Sequence, residues 1–237
     1  MINERLRRIR HIIAVSGGKG GVGKSLTASI LALTLVRKGC KVGLFDLDFT
    51  SPSTHIILGI RGVQPKEEKG IIPPKVHSLE YMSIIYYTGD HALPLRGTDV
   101  SNALIELLSI TKWGKLDFLV IDMPPGIGDA TLDIIRLIKN IGFLVVTTQS
   151  QLAFETVRKL ITLLKELNVP VMGVVENMKV SKSSISKRQV QKLGITFLGE
   201  IPFDKKIEKS MGRMDRLPRT VFMKKVEEIV SNLDFRC

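Results

Sequence analysis

The sequence is poor in cysteine, in aromatic residues and in long apolar runs, and each scarcity excludes a class of protein. The two cysteines, Cys40 and Cys237, form no spaced pair, so neither a metal-ligand motif nor a disulfide framework is expected. We therefore expect Cys40 to be a buried thiol, Cys237 to be mobile, and the compartment to be reducing and cytoplasmic. Aromatic residues make up 5% of the chain, which disfavours a surface that stacks single-stranded bases. No apolar run approaches the roughly 18 residues of a membrane span, and the apolar stretch after the basic N-terminus is too short for a signal peptide.

Positive charge is the main compositional excess, with a formal net charge of +12. Such an excess is typical of proteins that bind nucleic acid, but it also fits a soluble protein with a surface rich in Lys and Arg. The basic residues are spread over several segments and do not form one dense run. Nucleic acid is therefore an open partner, though not the favoured one, and a membrane partner is not expected.

Apolar runs alternate with amphipathic stretches along the chain, and this alternation predicts a mainly parallel twisted sheet with helices on both faces. The predicted strands are 11–16, 41–46, 81–87, 117–122, 142–148, 171–176 and 195–201. The predicted helices are 24–38, 99–112, 130–140, 151–167, 184–193 and 218–233. We expect one α/β domain over residues 1–237, with residues 59–80 as a surface excursion and residues 218–237 as a C-terminal helix and tail.

The segment that follows the first predicted strand matches the P-loop pattern Gly18-x-x-x-x-Gly23-Lys24-Ser25. Glycines let the backbone wrap around an anion, and the helix that begins at Lys24 adds its positive N-terminal end. Lys24 is expected to reach the β- and γ-phosphates of a nucleotide, and the hydroxyl of Ser25 to bind Mg²⁺. The loop also contains a second lysine, Lys19, which phosphate binding by Lys24 does not explain.

Carboxylates stand where two predicted strands end. Asp122 ends the apolar run of "FLVID", and the prolines that follow argue against a role as a helix cap, so we expect it to bind Mg²⁺. Asp46 and Asp48 lie at the end of the predicted strand 41–46, which follows the P-loop helix. One residue separates them, which predicts that they point to the same side. They could orient the water molecules of Mg²⁺ and the attacking water, or they could cap the segment that begins at Ser51.

The segments "KGGVGKS", "DLD" and "IDMPPGIGDA" together resemble the deviant Walker A ATPases of the MinD/ParA superfamily. "GVVENM" at 173–178 and "FLGEIPFD" at 197–204 are similar to the Mrp/ApbC iron–sulfur cluster carrier ATPases within it. The resemblance implies a P-loop NTPase fold and an ATP-dependent homodimer that hydrolyses ATP slowly. It also implies that Lys19 crosses the dimer interface to the phosphates bound by the partner subunit.

The resemblance also assigns roles to individual residues. The implied catalytic residues are Lys19, Lys24 and Asp48, where Asp48 positions the hydrolytic water. The implied metal residues are Ser25, Asp46, Asp48 and Asp122. The implied nucleotide contacts are Gly18, Lys19, Gly20, Gly21, Val22, Gly23, Lys24, Ser25 and Leu26, then Gly126 at the γ-phosphate, Asn177 at adenine, and Pro202 and Phe203 along the base.

Two departures from the family pattern bear on function. Cluster carriers bear Cys-x-x-Cys in the loop after "ENM", whereas the residues after Met178 here contain no cysteine. Where the family usually has "TTPQ", the sequence reads Thr147-Thr148-Gln149-Ser150, so the proline is gone. The first departure argues against a bound iron–sulfur cluster, because thiolates are its usual ligands. The ATPase prediction does not depend on it.

Three other functions stay open. A ParA-like protein would bind DNA through a basic patch, here Lys179, Lys182, Lys187, Arg188, Lys205, Lys206 and Lys209. A MinD-like protein would place its C-terminal helix on a membrane, although the apolar stripe of that helix is more typical of packing onto its own domain. A nucleotide-gated adaptor would use ATP binding without turnover to select a client protein. The sequence does not identify the client.

Overall fold

The computed structural model describes residues 1–88, 97–181, 185–233, 235 and 237. Its strands are β1 (Ile9–Gly17), β2 (Val42–Asp46), β3 (Lys66–Glu67), β4 (Ile71–Ile72), β5 (Lys75–Val76), β6 (Leu79–Ser83), β7 (Leu116–Asp122), β8 (Ile141–Thr147), β9 (Val171–Lys179) and β10 (Phe197–Pro202). Its α-helices are α1 (Ile2–Leu6), α2 (Lys24–Arg37), α3 (Thr54–Leu58), α4 (Ile85–Thr88), α5 (Gly97–Ile110), α6 (Asp129–Leu137), α7 (Gln151–Glu166), α8 (Ile185–Lys192), α9 (Ile207–Ser210) and α10 (Val221–Asn232).

The main sheet has the strand order β10-β9-β8-β1-β7-β2-β6-β5. β1 lies at its centre and pairs in parallel with β7 and with β8, while β5 joins the edge antiparallel to β6. All the parallel strands point the same way, so the loops after β1, β2 and β7 meet at one edge of the sheet. This edge brings the predicted phosphate loop next to the predicted carboxylates.

Helices cover both faces of the sheet, as the alternation of apolar runs predicted. Within β1, Ile13 and Val15 contribute to the hydrophobic core that also contains α2 and α10. Ile12 and Ala14 contribute to the opposite core, which contains residues of α5, α6 and α7. The predicted fold class, an α/β protein with a mainly parallel sheet, is therefore confirmed.

One prediction about local structure was wrong. The strand predicted at 81–87 begins earlier and ends at Ser83, and α4 follows it. The excursion predicted at 59–80 contains the β3–β4 hairpin and the edge strand β5. Its residues Ile71 and Leu79 are buried in the two cores, which anchors the segment to the sheet.

The prediction for the cysteines was also wrong, since Cys40 and Cys237 form a disulfide across a sequence separation of 197 residues. Phe235 packs edge-on against Phe118, with ring centroids 5.1 Å apart, and so brings the chain after α10 back to the start of β2. Two cysteines so far apart in sequence gave no spacing signal for this bond. The expectation of a reducing compartment loses the support that it drew from unpaired cysteines.

The C-terminal helix α10 packs onto the sheet and α2. Thr220 caps it by accepting a hydrogen bond from the backbone N–H of Met223. Its apolar stripe, which includes Phe222, Val226 and Val230, is buried in the core shared with α2. Among the described residues, no helix is both long enough and apolar enough to cross a membrane.

Candidate functional site

The predicted phosphate loop joins the end of β1 to the start of α2. Gly23 adopts φ 87° immediately before the helix, and no side chain in the described part of the chain caps the first turn. A Cβ on Gly23 would overlap the side-chain amide of Asn177. Only glycine therefore fits there, for its conformation and for lack of space. The backbone N–H groups of the first turn of α2 remain directed toward the loop, as an anion-binding helix start requires.

Lys24, the first residue of α2, is buried between two carboxylates. Its Nζ lies 2.8 Å from Asp122 Oδ1 and 3.2 Å from Asp48 Oδ2, and all three side chains are at most 8% exposed. Burial alone would lower the pKa of Lys24, but the charges and hydrogen bonds of Asp122 and Asp48 together raise it. Lys24 is therefore a fixed cation at the base of the loop.

Asp122 offers an oxygen that suits a metal ion. Its Oδ1 accepts the hydrogen bond from Lys24, while Oδ2 is buried and has no hydrogen-bond partner among the described residues. Burial raises the pKa of Asp122, and the charge of Lys24 opposes that rise. The Oγ of Ser25 lies 3.4 Å from Lys24 Nζ. A hydroxyl and a carboxylate at the end of a P-loop form the donor set that Mg²⁺ takes in nucleotide sites, so these residues fit the predicted metal.

Asp46 and Asp48 are placed differently. Asp48 lines a cavity beside the loop and contacts Lys24, as described above. Asp46 is fully buried behind it, and both of its oxygens accept hydrogen bonds from the segment that ends at Thr54. Burial and then the charge of Asp122 raise the pKa of Asp46 to about 7, although hydrogen bonds from Thr54 and Asp48 act in the opposite direction. The structure thus separates two acids that we expected to act side by side.

A cavity of about 810 Å³ opens beside the phosphate loop. The predicted residues that line it are Lys19, Gly20, Gly21, Gly23, Lys24, Ser25, Leu26, Asp48 and Phe203. The predicted residues that do not line it are Gly18, Val22, Asp46, Asp122, Gly126, Asn177 and Pro202. Lys19 is exposed at the mouth, and within the described residues it has no hydrogen bond or ion pair. A contact between Lys19 and the phosphates of a partner subunit stays a prediction.

Of the residues predicted to contact the base or the γ-phosphate outside the loop, Phe203 lines the cavity, whereas Asn177, Pro202 and Gly126 do not. Phe203 is 53% exposed and presents its ring to the cavity. Asn177 is buried beneath the loop, where its Nδ2 donates to the carbonyl oxygen of Val22 at 2.9 Å. Gly126 lies in the turn after β7 with φ 78°, next to Pro125, which does line the cavity. A role for Asn177 at adenine stays a prediction.

Two short helices that sequence reasoning missed form much of the cavity wall. α3 contributes Ile56 and Ile57, and α9 with the turn that follows contributes Ile207 and Met211. Helices of four or five residues give little periodic signal. The available signal was Ser53, a favourable residue for a helix start, immediately before the run "THIIL".

Gln149 stands where the resemblance leads one to expect proline, and it fixes the segment after β9. Its Oε1 accepts hydrogen bonds from the backbone N–H groups of Val180 and Ser181, both at 3.1 Å. Its Nε2 donates to the carbonyl oxygen and the hydroxyl of Ser181. Proline has no side-chain group that could make these bonds. Val180 and Ser181, in the part of the chain that bears Cys-x-x-Cys in the resembled carriers, are thus held here by one amide side chain.

The basic patch predicted for DNA binding is only partly described, because Lys182 lies outside the described residues. Lys179 forms ion pairs with Glu176 and Glu200. Lys205 lines the cavity.

A parallel sheet whose central strand leads through a glycine-rich loop to Lys24 and Ser25, with acids at the ends of the neighbouring strands, defines a P-loop nucleotide-binding protein. The model of the family described as "ParA: NUBPL iron-transfer P-loop NTPase" matches residues 8–234. The chain belongs to this family, which confirms the resemblance to the MinD/ParA superfamily and its Mrp/ApbC group.

Several curated relatives are named iron-sulfur cluster carrier protein. The relative from Pseudomonas fragi is 44% identical over 179 residues, which cover 74% of this chain and 62% of the relative. The relative from Methanocaldococcus jannaschii is 35% identical over a gapped alignment of 256 positions, which covers 98% of this chain and 88% of the relative. The chain spans only about 60% of the length of the relatives from Pseudomonas fragi and Aquifex aeolicus.

Solved structures show the same fold. A nucleotide-binding protein from Archaeoglobus fulgidus in complex with ADP is 28% identical and has a TM-score of 0.75, and the match covers 100% of this chain and 93% of that one. The septum site-determining protein MinD from Pyrococcus horikoshii, complexed with Mg-ADP, is 21% identical with a TM-score of 0.70 and covers 94% and 96% of the two chains. The second likeness concerns the fold alone.

Proposed function

We propose that the protein binds ATP with Mg²⁺ and hydrolyses it slowly as an ATP-dependent homodimer. The observation that carries this proposal is the buried Lys24 between Asp122 and Asp48 at the base of a glycine-rich loop that opens into a cavity. The ADP complex of the Archaeoglobus fulgidus protein supports a nucleotide as the ligand. The family described as iron-transfer P-loop NTPases supports a nucleoside triphosphate as the substrate.

Each residue around the loop has a role in this reaction. Water attacks the γ-phosphorus in line, the bond to the oxygen that bridges the β- and γ-phosphorus breaks, and ADP and phosphate leave. Asp48 orients the attacking water, and the backbone of Gly126 senses the γ-phosphate. Lys24, and Lys19 from the partner subunit, stabilise the negative charge that develops in the transition state.

Ser25 and Asp122 would hold Mg²⁺, with Asp48 beside them. When bound, the metal neutralises charge on the phosphate oxygens. Loop N–H groups hold the phosphates, and Phe203, Pro202 and the neighbouring residues enclose the base.

Lys19→Ala tests the proposal. The variant should keep ADP affinity within about twofold, because the loop backbone and Lys24 are intact, and should lose ATP-dependent dimerisation or hydrolysis. Lys139→Ala, an exposed lysine before β8 at the opposite edge of the sheet, is the matched control. Sizing by light scattering and phosphate release would be measured with ATP, ADP and no nucleotide. Wild-type dimerisation and turnover in Lys19→Ala would refute the proposed role.

Asp48→Asn separates an enzyme from a nucleotide-gated adaptor. If the protein acts on its client through ATP hydrolysis, the variant should accumulate as an ATP-bound dimer and lose its activity toward the client. An adaptor would keep its function in the same variant, measured as capture of a client by the ATP-bound form.

This chain's own side chains supply no free thiolates as ligands for an iron–sulfur cluster. The two cysteines of the sequence are joined to each other in the disulfide. No group of three or more His, Cys, Asp or Glu side chains that could hold a metal ion between them occurs among the described residues. We therefore propose that the ATPase activity is separate from cluster binding by this chain. Anaerobic reconstitution with iron and sulfide tests this point, and a stoichiometric cluster absorbance would contradict it.

A further inference from the structure

Both oxygens of the Asp46 carboxylate accept hydrogen bonds from the seven-residue turn that leads from β2 to α3, residues 47–53, or from the first residue of that helix. Its Oδ1 accepts a hydrogen bond from the backbone N–H of Asp48 at 3.1 Å. Its Oδ2 accepts one from the backbone N–H of Thr54 at 3.2 Å and a short one from the Thr54 hydroxyl at 2.6 Å. The side chain is fully buried and does not line the cavity. The three groups that donate to Asp46 come from both ends of the turn, so the carboxylate joins these ends.

The Thr54 hydroxyl connects this turn to the neighbouring strand β6. The oxygen of Thr54 lies 2.9 Å from the hydroxyl of Tyr81, a fully buried residue of β6. A hydroxyl carries one proton, and Thr54 gives its proton to the ionised Asp46, so in this state the Tyr81 hydroxyl donates to Thr54. The chain Tyr81 to Thr54 to Asp46 is thereby fixed in direction.

The closed turn determines where Asp48 points. The backbone N–H of Asp48 is held by Asp46, and its own Oδ1 accepts a hydrogen bond from the backbone N–H of Ser51 at 3.1 Å. The other oxygen, Oδ2, is then directed to Lys24 at 3.2 Å. The helix that begins at Thr54 carries Ile56 and Ile57 into the cavity wall. One buried carboxylate thus sets both the acid beside the phosphate loop and one wall of the cavity.

We propose that Asp46 is a positioning residue and not a metal ligand: together with Thr54 and Tyr81 it locks the 47–53 turn so that Asp48 faces the phosphates. This inference rests on the proposed function, because it takes Asp48 as the acid that orients the attacking water. Loosening the turn misdirects Asp48 while the P-loop, Ser25 and Asp122 stay in place. The reaction step therefore suffers, whereas binding of nucleotide and metal does not.

Thr54→Val is the decisive variant, because valine keeps the branched shape and removes the hydroxyl that joins Asp46 to Tyr81. The kcat for ATP should fall about tenfold or more, since small displacements of a catalytic group have effects of this size. The KM for ATP and the half-saturating Mg²⁺ concentration should stay within about twofold. Thr54→Ser, which restores the hydroxyl, is the matched control and should return kcat to near the wild-type value. Tyr81→Phe, which removes only the outer donor, should cause a smaller fall in kcat.

The alternatives give different results. If Asp46 acts on the metal, its disturbance should raise the half-saturating Mg²⁺ concentration, and saturating Mg²⁺ should restore kcat. That outcome overturns the proposal. An unchanged kcat in Thr54→Val also overturns it.

Hydrogen exchange provides a readout that needs no activity. The backbone amides of Asp48 and Ser51 are donors within the locked turn, so they should exchange at least about tenfold faster in Thr54→Val than in the wild type. ADP binding verifies that the variant is folded. If the wild-type protein does not hydrolyse ATP, the proposed function fails, and the exchange rates still decide whether Asp46 and Thr54 lock the turn. Unchanged exchange would refute the lock.

Discussion

Lys24 should stabilise the nucleotide-free protein as well as bind phosphate. Replacing it with methionine keeps most of its volume but leaves Asp122 and Asp48 facing each other without a cation, in a site where their side chains are at most 8% exposed. Removing one partner of a buried ion pair costs about 3–5 kcal/mol. We therefore expect Lys24→Met to lower the free energy of unfolding by about that amount at pH 8.

The loss should depend on pH with a definite sign. Burial already raises the pKa of Asp122, and the charge of Lys24 opposes that rise, so the pKa should climb further in the variant. A carboxyl whose pKa is higher in the folded than in the unfolded state destabilises the fold as pH rises between the two values. The destabilisation should therefore be smaller at pH 5 than at pH 8, by about 1.4 kcal/mol for each unit of further rise within that window.

Urea unfolding without nucleotide measures this effect, with two controls. Lys19→Met changes an exposed lysine of the same loop and should leave the free energy of unfolding unchanged within about 0.5 kcal/mol. The double variant Lys24→Met/Asp122→Asn removes one of the two buried carboxylates that lack a cation. It should recover much of the lost free energy of unfolding. Wild-type stability of Lys24→Met at pH 8, or an equal loss at both pH values, would refute the reasoning.

Three further changes have distinct expected outcomes. Gln149→Ala should accelerate hydrogen exchange at the backbone amides of Val180 and Ser181, because the four hydrogen bonds of Gln149 disappear. The control Gln151→Ala should not, and equal protection in both variants would show that Gln149 does not hold this segment. Because the pKa of Asp46 is raised to about 7, wild-type stability should fall as pH rises from about 4 to about 7, by a few kcal/mol in urea titrations, and Asp46→Asn should flatten that slope. Cys237→Ser should lower the free energy of unfolding by about 2–5 kcal/mol without reductant and by almost nothing with it, and a loss independent of reductant would exclude the disulfide as its cause.

Local patterns in the sequence were sufficient for the centre of the site. The P-loop spacing predicted the strand, loop and helix that carry Lys24, and the apolar run before Asp122 predicted a strand end beside it. Both features depend on residues close together in the chain, so periodicity and turn chemistry reveal them.

The features that sequence reasoning missed depend on distant partners. The difference between Asp46 and Asp48 is set by Thr54 and Tyr81, which come from two other elements of the structure. The hydrogen bonds to Ser181 come from Gln149, 32 residues earlier, and no local pattern in the sequence indicates that the two residues are in contact. Such contacts appear only when the strand order of the sheet is known.

The bond between Cys40 and Cys237 makes the residues between them a covalent ring. A protease that cuts this ring once, for example in the exposed stretch around Lys69, opens it without releasing a fragment. Both pieces would migrate together until a thiol reagent separates them. Intact mobility on a non-reducing gel would therefore not show that the backbone is whole, and digestion of this protein has to be followed on paired reducing and non-reducing gels.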